Sequence, residues 1–132
     1  MKAKYIACIK AMDLPLEKLK NKKILITGAN GLIASNLVEA LIYLNEDLDL
    51  DLNIYANCRS ECKGRERFNE FIVNKSFHLI IQDIIDPLET DEIFDYIIHA
   101  ASPAHPGAFN NVPVEVMKAI FILMHSYIFQ KI

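Results

Sequence analysis

Short aliphatic runs along this chain are separated by longer stretches in which apolar and polar residues mix. The short runs combine β-branched, aliphatic and aromatic residues and lie at 23–27, 53–57, 77–81 and 94–99. Each has the length of a strand buried in a parallel sheet. Strands that alternate with helical segments predict a parallel sheet with right-handed crossovers.

The strongest helical pattern covers residues 31–44, where apolar residues recur three and four positions apart. This spacing starts with Leu32 and Ile33 and is typical of a helix with one buried face. The segment 47–52 then alternates strictly between Asp and Leu, which resembles an exposed strand. We expect an acidic turn there instead, because 53–57 is the better second strand.

Two further helical segments have weaker patterns. Residues 61–74 combine high charge density with an apolar stripe of Phe68, Phe71 and Ile72, which predicts a surface helix. Residues 1–22 have apolar positions at helical spacing, followed by a proline and a lysine-rich stretch. We therefore expect a helical preface and loop at 1–22, and one further unit at 23–132.

A glycine-containing loop at 27–34 lies where the first strand meets the strongest helix, with the sequence Thr-Gly-Ala-Asn-Gly-Leu-Ile-Ala. In this context Gly28 permits a sharp turn, Gly31 lets the backbone approach a pyrophosphate, and Ala34 is small enough for close packing of helix on strand. The free N–H groups of the helix start would face the anion. The alternative is a junction whose glycines serve geometry alone.

At this point the sequence resembles the extended short-chain dehydrogenases/reductases of the NAD-dependent epimerase/dehydratase type, which act on nucleotide sugars. The family signature Thr-Gly-x-x-Gly-x-x-Gly matches 27–34 except for Ala34 in the last place. Three further matches follow in the expected order, at 82–84, 99–102 and 103–106. The resemblance spans about 20–119, and the Ala-Ser-Pro loop looks most like UDP-glucuronate decarboxylases and dTDP-glucose dehydratases. It implies an α/β fold, the N-terminal part of a Rossmann-type doubly wound parallel sheet with about four strands.

The resemblance also implies which residues contact a dinucleotide. In the glycine loop these are Gly28, Asn30, Gly31, Leu32 and Ile33. Asp83 would hydrogen-bond the adenine amino group, with Ile84 beside the ring, while Ala100, Ala101 and Ser102 would lie along the ribose and nicotinamide. The alternatives are that Asp83 caps a turn and that residues 99–101 are ordinary strand-end packing.

The choice between the two nicotinamide cofactors stays open. An acidic side chain after the second strand binds the ribose hydroxyls of NAD, whereas an arginine accommodates the 2′-phosphate of NADP. Here the strand is followed by Arg59, with Lys63 or Arg65 beyond it and no acid, which leans toward NADP. The family usually holds NAD, and a solvated charge cluster explains Arg65 and Arg67 equally well. We therefore expect NAD, with NADP possible.

No catalytic residue is predicted in this chain. The family uses a tyrosine base with a lysine four residues on, and Tyr127 and Lys131 have that spacing. The segment 114–131 must instead be the helix after the fourth strand. Tyr127 is therefore better interpreted as a residue of the hydrophobic core than as a catalytic base. The same applies to its apolar neighbours Phe121, Leu123, Met124 and Ile128. The early end of the chain suggests a truncated or frame-shifted reading of a longer gene whose full product acts on a nucleotide sugar. The rival interpretation is a non-catalytic NAD(P)-binding regulatory module or a decayed gene product.

Composition and charge argue against several classes of binding partner. The chain has 132 residues and a formal net charge of −3, so no basic face is expected to bind nucleic acid. Its three cysteines and four histidines form no metal-ligand pattern and indicate reduced thiols in the cytoplasm. The apolar tail at 112–132 is interrupted by charges, which favours a buried helix over a membrane span. Residues 114–128 could equally be the interface of a homodimer.

Overall fold

The computed structural model describes residues 2–101 and 110–124, which form an α/β fold around a four-stranded parallel sheet. The strands are β1 (Lys23–Thr27), β2 (Asn53–Cys58), β3 (Phe77–Ile81) and β4 (Tyr96–His99). The helices are α1 (Lys2–Lys10), α2 (Leu32–Leu48), α3 (Glu61–Arg67) and α4 (Pro113–Met124), with 3-10 turns at Leu16–Leu19 and Asn69–Phe71. All four predicted strands are confirmed, although β4 begins two residues later than expected.

The strand order β3-β2-β1-β4 identifies the topology. From β1 the chain adds β2 and then β3 on one side, and afterwards crosses to the other side of β1 to form β4. All three pairings are parallel, and Thr27 lies opposite Asn57 on β2 and His99 on β4. The predicted Rossmann-type sheet is therefore confirmed, and its winding reverses between β1 and β4.

One face of the sheet, which we call the α2 face, carries the main hydrophobic core. Side chains alternate between the two faces of a strand, so Ile24 and Ile26 point to the same face as Ile54 and Ala56. These four pack with α2 and with the aromatic residues that follow α3. The buried core consists of Ile24, Ile26, Ala29, Ala34, Val38, Leu41, Ile42, Leu50, Leu52, Ile54, Ala56, Cys58, Phe68, Phe71 and Phe77.

The opposite face of the sheet is crossed by the segment between β3 and β4. Tyr55 points to this face, where its ring stacks on His78 at 4.5 Å between ring centroids and meets Phe94 edge-on at 5.0 Å. Lys23, on the same face of β1, pairs with Glu92. Since α2 and α3 cover one face and this crossing segment covers the other, the sheet is wound on both sides.

The end of α2 differs from the prediction, because the helix continues through Leu48. Asp49 then adopts a left-handed conformation, with φ of 51°, and Asp51 does the same with φ of 50°. The Asn45 side chain brackets Leu52, accepting its N–H at 2.8 Å and donating to its carbonyl at 3.0 Å. The Asp-Leu alternation is thus a helix end and a tight turn. The expectation of a turn rather than a strand is confirmed.

Two predicted apolar faces need correction. Leu32 and Ile33, in the first turn of α2, are 85% and 84% exposed. The predicted surface helix at 61–74 ends at Arg67, and the chain then turns so that Phe68 and Phe71 pack inward near Phe77. Ile72 is left exposed.

The terminal helices have different surroundings. α1 packs on α2, where Lys10 pairs with Asp47. On α4 Val116 is buried, but Phe121 is 57% exposed, so the prediction that Phe121 is core is wrong for the described residues. Tyr127 and its neighbours lie outside those residues. No helix within 2–101 and 110–124 is both long and apolar enough to cross a membrane.

Candidate functional site

The residues predicted to bind a dinucleotide are brought together at the carboxyl ends of the four strands. Because the order is β3-β2-β1-β4, the segments that follow these strands lie in a row along one edge of the sheet. Asp83 follows β3, Arg59 follows β2, the glycine loop follows β1 and Ala100 follows β4. Ligands of open α/β sheets bind outside this edge, where the winding reverses.

Gly28 is required by the backbone at the start of the loop. Its φ is +62°, in the left-handed region that favours glycine. A Cβ at this position would lie 2.7 Å from the Cα of Ala101 and 2.9 Å from the carbonyl carbon of Ala100. Gly28 therefore serves the turn and also allows the segment after β4 to lie against the loop.

Gly31 has a different role, because its own conformation is ordinary. It is the N-cap residue of α2 with φ of −67° and ψ of 161°, and it is exposed. A Cβ here would meet only the Gly28 carbonyl oxygen within 4 Å, at 3.2 Å. The space that the Cβ would enter lies in front of the helix, so the absence of a side chain leaves room for a group approaching from solvent.

The start of α2 offers donors to such a group. No side chain caps this terminus, and the N–H groups of the first turn have no acceptor within the helix. The positive end of the helix dipole favours an anion there. Behind the turn, Ala34 and Ser35 are buried, and Ala34 belongs to the core. A diphosphate fits this arrangement of free donors and open space.

The Thr27 hydroxyl, which sequence reasoning did not assign, ties β1 to β4 at the site. It accepts a hydrogen bond from the Ala101 N–H at 3.4 Å and lies 2.7 Å from Nδ1 of His99, to which it can donate its proton. The Thr27 carbonyl accepts from the Ala100 N–H at 3.2 Å. These contacts fix the segment predicted to line the nicotinamide side. The only sequence signal was the threonine of the motif.

The end of β2 holds the loop from the other side. The Ala29 N–H donates to the Asn57 carbonyl at 3.0 Å, and the Asn30 N–H donates to the Cys58 thiol. Burial raises the pKa of that thiol, although the Asn30 hydrogen bond acts in the opposite direction. The Asn57 amide is buried and donates to the Gln82 carbonyl at 3.0 Å. Asn57 and Cys58 thus position the loop, a role the sequence did not reveal.

Asp83 is half-buried in the turn after β3. Its carboxylate accepts the Ile85 N–H at 3.2 Å, and its carbonyl accepts the Asp86 N–H at 3.3 Å. The turn-capping alternative is therefore present in the structure, and a contact with adenine stays a prediction. Ile84 is buried, with 8% of its surface exposed.

The remaining predicted residues divide into those that the structure places and those that it does not. Arg59 is exposed directly after β2, next to the glycine loop. Ser102 lies outside the described residues, as do Tyr127 and Lys131. Across 2–101 and 110–124 no group of three or more His, Cys, Asp and Glu side chains is arranged to hold a metal ion.

Comparison with known proteins adds a family. Residues 24–126 match the model of the NAD dependent epimerase/dehydratase family. The chain is 32% identical over 104 residues to UDP-glucuronic acid decarboxylase 1 of Danio rerio, covering 78% of this chain and 23% of that protein. It is 33% identical over 113 residues to UDP-glucuronic acid decarboxylase 6 of Arabidopsis thaliana, covering 81% of this chain and 30% of that protein. The chain thus spans less than a third of the length of these relatives.

Solved structures share the fold. Pen from Bacillus thuringiensis superposes with a TM-score of 0.64 and 23% identity over 83% of this chain and 33% of that one. Yeast methylglyoxal/isovaleraldehyde reductase Gre2, complexed with NADPH, superposes with a TM-score of 0.55 and 22% identity. The match covers 80% of this chain and 33% of that one. UDP-glucuronic acid 4-epimerase from Bacillus cereus, in complex with UDP-glucuronic acid and NAD, superposes with a TM-score of 0.52 and 23% identity. The match covers 78% of this chain and 36% of that one.

Proposed function

This chain belongs to the NAD dependent epimerase/dehydratase family, and we propose that it is the dinucleotide-binding portion of a nucleotide-sugar epimerase, dehydratase or decarboxylase. Its role is to hold NAD or NADP at the carboxyl edge of the sheet. In this proposal the portion binds the cofactor and lacks catalysis by itself. Reaction on a sugar belongs to the full-length parent protein.

The observation that carries this proposal is the order of the candidate residues along the sheet edge. A dinucleotide consists of adenine, ribose, diphosphate and nicotinamide riboside in sequence. The edge offers Asp83 after β3, Arg59 after β2, the glycine loop after β1 and Ala100 after β4, in that same sequence. The diphosphate then falls on the uncapped start of α2.

Each part of the ligand has residues assigned to it. The backbone of Gly28, Asn30, Gly31, Leu32 and Ile33 surrounds the diphosphate. Asp83 and Ile84 receive the adenine, while Ala100, Ala101 and Ser102 line the nicotinamide side. Small side chains suit the last position, because Ala100 and Ala101 already lie against Gly28.

The parent chemistry follows from the family and its relatives. A bound nicotinamide accepts a hydride from a substrate carbon and can return it. The curated relatives are named for decarboxylation of UDP-glucuronic acid. We propose that the parent oxidises a sugar carbon of a nucleotide sugar transiently and then returns the hydride to the intermediate.

The proposal is tested by calorimetric titration of the purified 132-residue chain with NAD and with NADP, beside the variant Gly31→Val. We expect the chain to bind at least one dinucleotide. The valine should reduce that binding at least about tenfold, because its side chain enters the diphosphate space while its backbone angles remain allowed.

A matched control is Ala11→Val, which adds the same two methyl carbons beyond Cβ at an exposed position. Ala11 adjoins Lys10, which pairs with Asp47 near the far end of α2. This variant should bind like the wild type. If the wild-type chain is folded by circular dichroism and binds neither dinucleotide, the proposed function is wrong.

A further inference from the structure

The outer edge of β3 is open among the residues that the structure describes. This strand pairs with β2 alone, because it is the last one in the order β3-β2-β1-β4. The Ser76 carbonyl, just before β3, accepts the Ile54 N–H at 2.8 Å, and the Gln82 N–H, just after it, donates to the Cys58 carbonyl at 3.0 Å. These two contacts fix which peptide groups of β3 are directed toward β2.

Three residues of β3 direct their peptide groups away from the sheet. Peptide groups alternate in direction along a strand, so the outward ones belong to Phe77, Leu79 and Ile81. The Phe77 N–H is used locally, because it donates to the Asn74 carbonyl at 3.1 Å. Within the described part of the chain, no backbone group pairs with the Phe77 carbonyl or with either group of Leu79 and Ile81. The edge therefore offers two N–H donors and three carbonyl acceptors in a row.

The side chains of the same three residues lie beside a hollow on the α2 face. Residues two positions apart project from one face of a strand, so these side chains are neighbours. The hollow has a volume of about 220 Å³ and is lined by Arg65, Ile72, Phe77, Leu79 and Ile81. Ile72 and Ile81 are exposed, and the Arg65 charge is already paired with Glu61 at 2.8 Å. The surface next to the open edge is therefore apolar and carries no unpaired charge among these lining residues.

The sequence of β3 lacks the residues that usually protect a sheet edge. It reads Phe-His-Leu-Ile-Ile, without the lysine, glutamate or proline that natural proteins place on exposed edges. Its polar residue, His78, is directed to the other face, where its ring stacks on Tyr55 and lies 3.1 Å from Oδ1 of Asn53. An uncharged apolar edge with free backbone groups is a template for pairing with another strand.

We infer that this edge is a self-association surface, on which a second copy of the chain pairs through its own β3. A two-fold axis at Leu79 makes the two strands antiparallel, and Leu79 then exchanges two hydrogen bonds with Leu79 of the second copy. The free Ile81 N–H of each copy meets the free Phe77 carbonyl of the other. The second copy thus supplies a donor for each of these acceptors, and the Phe77 N–H that Asn74 already accepts is not needed.

Charge and closure favour a second copy as the occupant. The cross-strand neighbours are Leu79 with Leu79 and Phe77 with Ile81, so apolar side chains meet and no like charges are brought together. The contact uses the β3 edge of both copies, so it stops at two chains. Because the strand has only five residues, the interface is small, and we expect a dissociation constant of about 1–100 μM.

The test is sedimentation velocity of the whole 132-residue chain from about 1 μM to about 500 μM, for the wild type, Leu79→Lys and Leu79→Glu. We expect the wild type to change from monomer to dimer over this range. Residue 79 meets itself at the two-fold axis, so each charged variant brings two like charges together on Cβ atoms about 5 Å apart. Each variant alone should dimerise at least about tenfold more weakly. An equimolar mixture should form the dimer again, because lysine then faces glutamate, and a loss of folding cannot produce that result.

Two controls match the lysine variant. Leu79→Met keeps the size of the side chain without a charge, and Met117→Lys adds the same charge at an exposed apolar position of α4. Both should dimerise like the wild type. Circular dichroism checks that every variant is folded, since Leu79 is half-buried against the core. If Leu79→Lys is unfolded, Ile81→Lys replaces it at an exposed position of the same edge and should also weaken the dimer.

Four results would overturn the inference. A wild-type chain that stays monomeric at about 500 μM has no self-association surface of the proposed strength. A dimer that Met117→Lys dissociates and Leu79→Lys leaves unchanged associates through α4 instead of β3. Failure of the lysine and glutamate variants to form a dimer together contradicts a two-fold axis at Leu79. Species that keep growing with concentration contradict a pairing that closes at two chains.

Discussion

The two ends of the sheet differ in whether their polar groups have partners within the protein. At the amino ends of the strands, Lys22 pairs with Asp95 and Lys23 pairs with Glu92, while the Lys23 N–H also donates to Asp95. At the carboxyl ends, the first turn of α2 has no capping side chain, and Leu32 is 85% exposed. One end satisfies its charges internally, and the other leaves donors and apolar surface open. A ligand is therefore expected at the second end, since the first turn of α2 leaves N–H donors there without an acceptor in the helix.

The largest expected effect on this contrast comes from Gly28→Ala. An alanine at φ of +62° costs about 1–2 kcal/mol, and the clash with the backbone of Ala101 adds about 1–3 kcal/mol. We expect the free energy of unfolding to fall by about 3 kcal/mol in a urea titration followed by circular dichroism. A loss below about 0.5 kcal/mol would show that the segment after β4 does not rest on Gly28 in solution.

The next effect in size is expected for Asn57→Ala. The buried amide donates to the Gln82 carbonyl, and its removal leaves that carbonyl without its partner. Because Gln82 is only half-buried, we expect the loss of this hydrogen bond to cost about 1 kcal/mol in the same urea titration. Asn36→Ala, at an exposed position on α2, serves as the control. Equal small losses for both variants would contradict a stabilising role for the carboxyl-end amide.

The groups at the amino ends of the strands should make the stability of the protein depend on pH. Burial lowers the pKa of His78 below its ordinary value of 6.5. Around and below pH 6.5 the unfolded chain therefore binds a proton at this residue more readily than the folded chain does. Stability should therefore fall as the pH decreases from 7. The hydrogen bond from the Lys23 ammonium lowers the pKa of Glu92, and the hydrogen bond from the Lys23 N–H lowers that of Asp95, so these two contributions are lost at still lower pH. Chemical denaturation between pH 7 and 5.5 measures the first phase.

His78→Phe isolates that phase, because phenylalanine keeps an aromatic ring on Tyr55 and cannot titrate. The variant also loses the contact with Asn53, so its overall stability differs. The informative quantity is the slope of stability against pH. We expect it to be flatter in the variant between pH 7 and 5.5, and an unchanged slope would assign the effect to another group.

The smallest effect is expected for Leu32→Ser at the open end. The Leu32 side chain is 85% exposed in the folded chain, so replacing it removes almost no buried apolar surface. The free energy of unfolding should therefore change by less than about 0.5 kcal/mol. Thermal unfolding of the two chains is sufficient to compare them. A clear loss of stability would mean that Leu32 is covered in solution by some other part of the chain, against the picture of an open edge.

Much of this fold was predictable because its signals are local. The strand 23–27 is a continuous apolar run, and the glycine loop sits where a strand meets a helix. Both were found in the expected places. The resemblance to a family also implied a Rossmann-type parallel sheet, and the row of segments at the sheet edge follows from the strand order that the structure shows.

Other features were not predictable because they depend on residues far apart in the chain. The end of α2 is set by the Asn45 side chain meeting Leu52. The exposure of Leu32 depends on where α2 projects relative to the sheet, and that of Phe121 on which elements lie near α4. The paired state of Arg67 required Glu39 on another helix. Periodicity shows which residues are apolar, but not which neighbours will cover them.

The contact of Gly28 with Ala100 and Ala101 has a consequence for how the protein is made. The Thr27 hydroxyl and the His99 ring that hold this contact are 72 residues apart in the chain. A ribosome adding about 5–20 residues per second needs roughly 4–14 s to deliver the second partner after the first. During that interval the nascent loop has its glycines but not the backbone against which it rests. The ligand-binding loop should therefore be among the last parts of this domain to mature on the ribosome.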